Sequence, residues 1–355
     1  MYCASSVTVP PRELLEFMTT DRRSEKLVIA GASSLLGAEL KSVLEESRFA
    51  SWEIRLVDEE IAAGTLTEAA GEATVIQSID EDSFRGARYA FLTGSTDFGK
   101  QCLGPAKASG AKILDFTKAS LSQPEATPWF PRVEALSGRR LDKHAQLFSV
   151  FSAAATALTT LAMALRAVRL RRLVAVVFHP VSEAGRAGIE ELETQTSQLL
   201  SFQNIGTPVF GTQAAFNLLP RFARESGEDL HQKLLQTRSE ISAGMADPVE
   251  DAKIALNLVH APVFYGMTFS AFAEVDESAD HTKLIDLCKD AGFSLVPPME
   301  AAPSNVSVAG ETSIFLRPPE PDSSKPGAWW FWGAADNLRF PAWSASKLVE
   351  WLDQE

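Results

Sequence analysis

Short apolar runs alternate with helix-length segments along the first half of the chain. The runs comprise residues 26–30, 53–57, 89–93, 112–115 and 147–150. Runs of this kind are typical of buried strands in a parallel sheet, because helices cover both faces of such a sheet. Strands that alternate with helix-length segments predict βαβ units and a doubly wound sheet.

The second half of the chain has a less regular pattern. Residues 173–178, 263–264 and 269–275 have strand composition, whereas residues 188–200 have helical composition. This order predicts a mixed α+β domain. The last segment, residues 344–352, is amphipathic and predicts a C-terminal helix.

The composition is that of a globular protein with a surplus of acidic groups. The 355 residues include 45% hydrophobic and 22% charged side chains, and the formal net charge is −13. This charge argues against a nucleic-acid or anionic-membrane partner, since both would repel an acidic surface. No window reaches the roughly 20 apolar residues that a transmembrane helix needs. Residues 1–25 form a polar leader that lacks the residue order of a signal peptide.

Only three cysteines occur, and they are widely separated: Cys3, Cys102 and Cys288. Isolated cysteines make neither a disulfide framework nor a metal cluster, which fits a reducing cytoplasm. The five histidines also lack the spacing of metal ligands. We therefore expect a cytoplasmic protein without a bound metal.

A glycine-bounded turn follows the first apolar run. Residues 31–37, Gly-Ala-Ser-Ser-Leu-Leu-Gly, stand where a dinucleotide phosphate would meet backbone amides at a helix N-terminus. Two glycines in such a turn also serve tight packing, so the signal is weak when taken alone. The candidate cofactor-binding residues of this turn are Gly31, Ser33, Ser34, Leu35 and Gly37.

Four later segments make the interpretation specific. They are residues 181–192, 213–220, 262–266 and 335–339. In composition and order they resemble four segments of the aspartate-semialdehyde dehydrogenases: a Val-Ser-Gly-Ala-Gly motif, a Gln-Ile-Ala-Phe-Asn-Leu-Ile-Pro motif, the strand before the catalytic histidine, and the lead into the last helix. The resemblance covers about residue 25 to the C-terminus.

The resemblance implies a mechanism. In this family a cysteine thiolate attacks the aldehyde, hydride passes to NADP, and phosphate releases the acyl group as aspartyl phosphate. A histidine acts as the base, a glutamine supports the cysteine, and arginines hold the substrate carboxylate and the phosphate. These roles require an ionisable nucleophile, a group that titrates near neutral pH, and bidentate cations.

The family's nucleophile position falls on Ala153. The cysteine normally follows Asn-Pro-Asn or Asn-Pro-Gly at the start of the long helix, and here residues 150–156 read Val-Phe-Ser-Ala-Ala-Ala-Thr. A slip of one residue would select Ser152 or Ala154, and neither is a cysteine. The hydroxyls of Ser152 and Thr156 have no evident base in the local sequence, and an alcohol is a far weaker nucleophile than a thiolate.

Four other family positions have also lost their chemistry. The positions of the histidine, the substrate arginine, the supporting glutamine and the phosphate arginine fall on Met267, His260, His179 and Leu121, respectively. The family's Glu-Thr-Lys segment corresponds to residues 236–238, where Gln236 and Arg238 form a remnant of the substrate pocket. A cation is kept there, but the acid that meets the substrate amine is lost.

The two histidines at these positions leave two interpretations open. His179 and His260 form either a relocated acid–base pair or two partly buried side chains that backbone groups satisfy. Without a cysteine or a triad partner in view, the second interpretation is favoured. The cluster of Trp329, Trp330 and Trp332 has core packing as its default role, although such clusters also mark interfaces.

The cofactor site also departs from the family pattern. Ser34 replaces the middle glycine of the Gly-x-x-Gly-x-x-Gly turn, which would hinder a close approach of pyrophosphate, and the second glycine pair has become Gly94-Ser95. Asp58 and two further acids follow the second strand, where an NADP enzyme shows serines and an arginine. Carboxylates there repel a 2′-phosphate and accept from a 2′-hydroxyl, so any bound dinucleotide should be NAD. An acidic surface turn with no ligand is the open alternative.

We therefore predict an α/β fold with a Rossmann-type nucleotide-binding domain plus an α+β dimerisation domain of the semialdehyde dehydrogenase type. The first domain should span residues 26–150, completed by a C-terminal helix at 340–355, and the second should span residues 151–335. The family's second domain supplies its dimer interface, so a homodimer is expected.

The leading hypothesis is a catalytically inactive family member that acts through dimerisation, partner binding or nucleotide sensing. One alternative is an NAD-dependent oxidoreductase that acts on an aldehyde or oxo group with altered residues, linked to aspartate-family amino-acid biosynthesis. Another is a heteromeric partner of an active dehydrogenase subunit.

Overall fold

The computed structural model describes residues 25–62, 64–69, 72–245 and 253–354. The predicted polar leader, including Cys3, lies outside these residues apart from Glu25. Across the described ranges, no helix is both long enough and apolar enough to cross a membrane.

The first half of the chain forms a parallel sheet. Its strands, with a small hairpin among them, are β1 (Lys26–Ala30), β2 (Glu53–Asp58), β3 (Leu66–Ala69), β4 (Glu72–Val75), β5 (Gln77–Ser78), β6 (Tyr89–Leu92), β7 (Lys112–Asp115), β8 (Thr127–Trp129) and β9 (Leu147–Val150). The order across the sheet is β5-β2-β1-β6-β7-β9-β8, and every neighbouring pair is parallel. Strands β3 and β4 form a separate two-stranded sheet within the described ranges.

Helices connect these strands, and serines begin three of them. The helices are α1 (Leu35–Glu45), α2 (Thr96–Ala108), α3 (Val133–Ser137) and α4 (Ala153–Leu165). Ser34, Ser95 and Ser152 are the N-caps of α1, α2 and α4, and each hydroxyl accepts a hydrogen bond from a first-turn amide. Such caps satisfy backbone donors that have no intrahelical partner. The three helix N-termini therefore lie at the carboxyl edge of the parallel sheet.

The second half of the chain forms a mixed sheet. Its strands are β10 (Arg172–His179), β11 (Lys253–His260), β12 (Met267–Glu274), β13 (Ser294–Leu295), β14 (Phe315–Leu316), β15 (Glu320–Pro321) and β16 (Ala328–Ala335). The order is β11-β10-β12-β16-β14-β13, with β15 pairing to β16. Strands β10 and β11 are parallel, whereas β12 is antiparallel to both β10 and β16. The predicted combination of a parallel α/β sheet and an α+β domain is confirmed.

The remaining helices are α5 (Gly185–Leu200), α6 (Leu230–Met245), α7 (His281–Ala291) and α8 (Arg339–Leu352). Helix α4 lies against β10 and β12 and also contacts α6 and α7, so these helices cover one face of the mixed sheet. Helix α8 contacts α1 and thus returns to the parallel sheet. Arg339, at the start of α8, forms ion pairs with Glu39 and Glu46 of α1.

One predicted strand is wrong, and several elements were not predicted. Residues 263–264 lie in the irregular connection between β11 and β12, because Pro262 cannot donate to a ladder and Gly266 turns the chain at φ +77°. Helix α6 and strand β11 had no prediction, and the tryptophan cluster proved to be strand β16.

The other face of the mixed sheet carries an exposed apolar row. Val174, Phe272 and Trp330 are aligned across β10, β12 and β16, and the rings of Phe272 and Trp330 lie 5.1 Å apart. Val174 is 38% exposed and Trp330 is 44% exposed. Trp332 lies in the next row, with its ring 6.1 Å from that of Phe178. Large apolar side chains aligned on an open face mark an interaction surface.

Candidate functional site

A cleft of about 660 Å³ lies between the carboxyl edge of the parallel sheet and helix α6. The candidate cofactor residues that line it are Gly31, Ser33, Ser34, Leu35, Asp58, Gly94 and Ser95. Of the positions compared with the family's catalytic and substrate residues, His179, Gln236 and Met267 also line it. The structure therefore brings most of the sequence-predicted site residues into one cavity.

The side of the cleft that is lined by the candidate cofactor residues is called the nucleotide half. Two glycine turns contact each other there. Gly31 has φ +88°, and a Cβ atom placed on it would lie 2.2 Å from the Gly94 nitrogen. No other residue type fits such a contact in this conformation. Gly37 does not line the cleft; a Cβ atom there would lie 2.4 Å from the Gly31 carbonyl oxygen. Gly37 thus serves the packing of α1 against the turn.

Ser34 occupies the place of the family's middle glycine without strain. Its φ is −66°, and its hydroxyl accepts from the Gly37 amide at 2.9 Å and donates to the Thr93 carbonyl at 3.0 Å. The side chain is therefore held against neighbouring backbone. The first-turn amides of Leu35 and Leu36 have no helical acceptor, which makes them the donors that a phosphate could use.

Asp58 is built into the base of the turn. One carboxylate oxygen accepts from the Ser33 amide at 2.7 Å and the other from the Glu59 amide at 2.8 Å. The residue is buried, while Glu59 is exposed beside it on the cleft wall. Each Asp58 oxygen keeps a further lone pair, so the group can still accept from a ribose hydroxyl.

The side of the cleft that is lined by Lys118, Ser152 and helix α6 is called the substrate half. It contains a buried ion pair that the sequence did not predict. Lys118 donates to a carboxylate oxygen of Glu240 at 2.6 Å and to the Val150 carbonyl at 2.8 Å. The same Glu240 carboxylate accepts from the Ser152 amide at 2.7 Å and from the Ser152 hydroxyl at 2.9 Å. Glu240 is 1% exposed. Its carboxylate therefore sits on the N-terminus of α4.

Ala153, which the resemblance compares with the nucleophile, follows Ser152 at the start of α4 and has no reactive group. Ala153 is 2% exposed and does not line the cleft, while Ser152 and Ala154 do. The Ser152 hydroxyl accepts from the Ala155 amide and donates to Glu240, so both of its roles are taken by structural contacts. The local sequence supplies no base for Ser152, but Glu240 of α6 is a carboxylate partner of its hydroxyl.

Neither thiol in the described ranges can replace the missing cysteine. Cys102 in α2 and Cys288 in α7 are both fully buried in apolar surroundings. Burial raises the pKa of each thiol to about 12, so neither forms a thiolate at neutral pH.

His179 and His260 end two neighbouring parallel strands but have different surroundings. His179 lines the cleft, and its Nε2 atom is buried without a hydrogen-bond partner among the described residues. Burial, with a smaller contribution from the Lys233 ammonium group, holds the pKa of His179 well below its usual range. His179 is therefore neutral at pH 7.

His260 is buried outside the cleft, although the resemblance placed it at the substrate arginine. Its ring lies about 5.4 Å from the ring of Phe222 and 5.5 Å from that of Phe210, and its Nε2 atom is 3.2 Å from the Ala214 carbonyl. Burial lowers the pKa of His260, which keeps it neutral. This arrangement matches the interpretation of a core histidine and gives no support to a relocated acid–base pair.

Two further positions taken from the resemblance lie away from the cleft. Arg238, expected as a remnant of the substrate pocket, donates to the Leu256 carbonyl at 3.1 Å and does not line the cavity. The cleft-facing side of α6 carries Lys233, Gln236 and Glu240, since residues three or four apart share a helix face. Leu121 also does not line the cleft.

The charged groups that line the cleft are mostly acidic. The carboxylates are Asp58, Glu59, Glu183, Glu228, Asp229 and Glu240, and the ammonium groups are Lys118 and Lys233. Lys118 is paired with Glu240, and Lys233 is paired with Glu228 at 3.0 Å. Among the described residues, no arginine lines this cavity. The described part of the cleft thus offers no unpaired lysine or arginine to an acidic substrate.

The sheet topologies and the cleft define a two-domain protein of the dehydrogenase type, with a Rossmann-like parallel sheet and a mixed-sheet domain. The chain belongs to the semialdehyde dehydrogenase family, whose dimerisation-domain model matches residues 161–340. The resemblance seen in the sequence is thereby confirmed at the level of family and fold.

Similar proteins agree with this assignment. The USG-1 protein homolog of Azotobacter vinelandii is 27% identical over 328 residues, which cover 92% of this chain and 97% of that protein. The structure of Vibrio cholerae aspartate-semialdehyde dehydrogenase II has a TM-score of 0.82 at 22% identity, covering 93% of this chain and 98% of that one. The Candida albicans enzyme, solved with NADP, has a TM-score of 0.64 at 13% identity, covering 92% and 98%.

Proposed function

We propose that this chain is a non-catalytic member of the semialdehyde dehydrogenase family that works as a homodimeric, NAD-binding protein. Residues 26–150 with 340–355 would form the nucleotide-binding domain, and residues 151–335 the dimerisation domain. The observation that carries the proposal is the N-terminus of α4. Ala153 stands there in place of a nucleophile, and the Glu240 carboxylate occupies the helix end.

The loss of catalysis follows from the chemistry of the cleft. Acyl transfer from an aldehyde needs a nucleophile, and the thiols of Cys102 and Cys288 are buried and protonated. Met267 lines the cleft at the position that the resemblance compares with the base, and its apolar side chain cannot accept a proton. An acidic substrate and phosphate would also meet a cleft whose two ammonium groups are already paired.

Retained nucleotide binding is supported by the other half of the cleft. The turn at Gly31 keeps its positive φ and its contact with Gly94, and the amides of Leu35 and Leu36 open the helix. Asp58 and Glu59 line this half of the cleft, and in the proposed binding mode they would face the ribose of the adenosine and repel the 2′-phosphate of NADP. NAD is therefore the proposed ligand, in contrast to the NADP found with the Candida albicans enzyme.

Isothermal titration with NAD and with NADP tests the nucleotide half. We expect NAD to bind and NADP to bind at least about tenfold more weakly, a difference of about 1.4 kcal/mol. An Asp58→Asn variant should narrow that difference, because it removes the carboxylate beside the ribose. An Asp97→Asn variant is the matched control, since it makes the same charge change at an exposed position of α2 outside the cleft. Absence of binding by either nucleotide, or tighter binding of NADP, would contradict this part of the proposal.

A homodimer is supported by the exposed row of Val174, Phe272 and Trp330. The row belongs to the domain that the family model describes as a dimerisation domain. Because the row lies within the dimerisation domain, a second copy of the chain is the favoured partner. Association with an active dehydrogenase subunit would use the same face, and it is the alternative outcome if the purified chain is monomeric.

A second candidate function rests on His179. The residue lines the cleft as a neutral imidazole, and its buried Nε2 atom has no hydrogen-bond partner among the described residues, so a bound substrate could supply one. This favours an NAD-dependent oxidoreductase of altered chemistry, acting on an aldehyde or oxo group within aspartate-family amino-acid biosynthesis. Turnover of a carbonyl substrate with NAD that disappears in a His179→Ala variant would establish it over the non-catalytic role.

A further inference from the structure

Three donors converge at the N-terminus of α4 in the way that they would around a bound anion. They are the Ser152 amide at 2.7 Å, the Ser152 hydroxyl at 2.9 Å and the Lys118 ammonium group at 2.6 Å, each measured to an oxygen of Glu240. A helix N-terminus favours negative charge because its first amides are unpaired and its dipole is positive there. The three donors therefore surround a carboxylate, that of Glu240, as they would surround a bound anion.

The occupant comes from a distant part of the chain. Glu240 belongs to α6 and is separated from Ser152 by 88 residues and from Lys118 by 122. It is 1% exposed although a glutamate is seldom fully buried, and its carboxylate meets each donor directly. A buried carboxylate held on a helix end by a lysine fills the volume and charge that a phosphate or substrate carboxylate would need.

Lys118 has a second contact at this site that does not involve Glu240. It has φ +68°, an uncommon conformation for a residue with a side chain, and its ammonium group also donates to the Val150 carbonyl. The lysine is therefore fixed below the end of β9 and points at the start of α4. It would remain there as an anion-binding cation if Glu240 were removed.

We propose that the Glu240 carboxylate occupies an anion-binding subsite at the N-terminus of α4 and thereby blocks it to other anions. In the wild-type protein it excludes inorganic phosphate and carboxylate ligands from the N-terminus of α4, while the nucleotide half stays open. Replacement of Glu240 by a small neutral residue should uncover a site for a tetrahedral or planar oxyanion, held by Ser152 and Lys118. This specificity role deepens the proposed non-catalytic function but does not depend on NAD binding.

The test uses Glu240→Ala and Glu240→Ser variants of the full chain, titrated with inorganic phosphate and followed by calorimetry and thermal unfolding. We expect the wild-type unfolding temperature to be unaffected by millimolar phosphate beyond the effect of an equal ionic strength of chloride. Each variant should bind phosphate and gain about 4 °C or more at a hundredfold excess of phosphate over its Kd. NAD titrations of the same samples report on the proposed function separately.

Two controls locate the bound anion. Asp229→Asn removes a carboxylate from the same cleft at a residue that forms no ion pair among the described residues and whose side chain accepts from the His231 amide, and it should not create phosphate binding. Glu240→Ala combined with Lys118→Met keeps the helix end but removes the cation, and it should lose at least about tenfold in phosphate affinity relative to Glu240→Ala.

The outcomes are decisive in either direction. Phosphate binding by the wild type that needs Lys118 would overturn the proposal, as would Glu240 variants that fold but bind no phosphate. Glu240→Ala and Glu240→Ser variants that both fail to fold in phosphate buffer would also overturn it, because the free anion should replace the missing carboxylate. Variants that fold better in phosphate than in chloride support it.

Discussion

A Lys118→Met variant is expected to lose about 3–5 kcal/mol of unfolding free energy, the usual cost of breaking a buried ion pair on one side. The change leaves the Glu240 carboxylate 1% exposed and without its cation, although the Ser152 donors remain. The methionine side chain replaces most of the lysine volume. The decrease in unfolding free energy therefore measures the loss of the charge and not the formation of a cavity. Urea unfolding followed by tryptophan fluorescence measures it.

Matched variants separate this effect from a general loss of charge. Lys100→Met breaks an exposed pair with Asp97 on α2 and should change stability by less than about 1 kcal/mol. Lys118→Met combined with Glu240→Gln should recover much of the loss, because no buried charge is then left unpaired. A Lys118→Met variant with the same unfolding free energy as Lys100→Met would show that the buried ion pair does not stabilise the protein.

The second large effect is expected on assembly. Trp330 lies at the centre of the open face of the mixed sheet, aligned with Phe272 and Val174, and its indole nitrogen donates to Asp322. A Trp330→Glu variant places a charge in the proposed dimer interface, where a tryptophan typically contributes at least about 2 kcal/mol. The dimer dissociation constant should therefore rise by roughly thirtyfold or more.

Light scattering with size-exclusion chromatography measures this outcome. The wild type should have twice the chain mass of 38.5 kDa, and over a dilution series Trp330→Glu should shift toward the chain mass at concentrations where the wild type is still dimeric. Val75→Glu is the control, because Val75 is 46% exposed on the β3–β4 hairpin of the other domain. A Trp330→Glu protein that stays dimeric would place the interface on another surface.

The parallel sheet was predictable from the sequence because its strands are buried on both faces. Strands β1, β7 and β9 lie at the predicted residues, because buried parallel strands consist largely of apolar side chains. Strand β11 was missed because its exposed positions carry Lys253, Ala255 and Asn257, which weaken the strand pattern. Helix α6 was missed because polar residues lie on its cleft-facing side, where periodicity would require apolar ones.

The grouping of the candidate cofactor residues at one edge of the sheet was predictable for a similar reason: they lie at or directly after strand ends. Gly31 and Gly94 follow β1 and β6, Asp58 ends β2, and the carboxyl ends of parallel strands meet at one edge. The pairing of Lys118 with Glu240 was not predictable, because 122 residues separate them and neither stands in a motif. The position of Arg238 on the far side of α6 likewise depends on the helix phase, which residue-by-residue comparison does not give.

The central claim is that the cleft has lost semialdehyde chemistry, and an activity assay tests it most directly. Purified protein is incubated with aspartate semialdehyde, inorganic phosphate and either NAD or NADP, and reduced nucleotide is followed by its absorbance. We predict no phosphate-dependent rate above a control without protein for either nucleotide. A rate that persists through purification and falls in Ser152→Ala or His179→Ala variants would contradict the account.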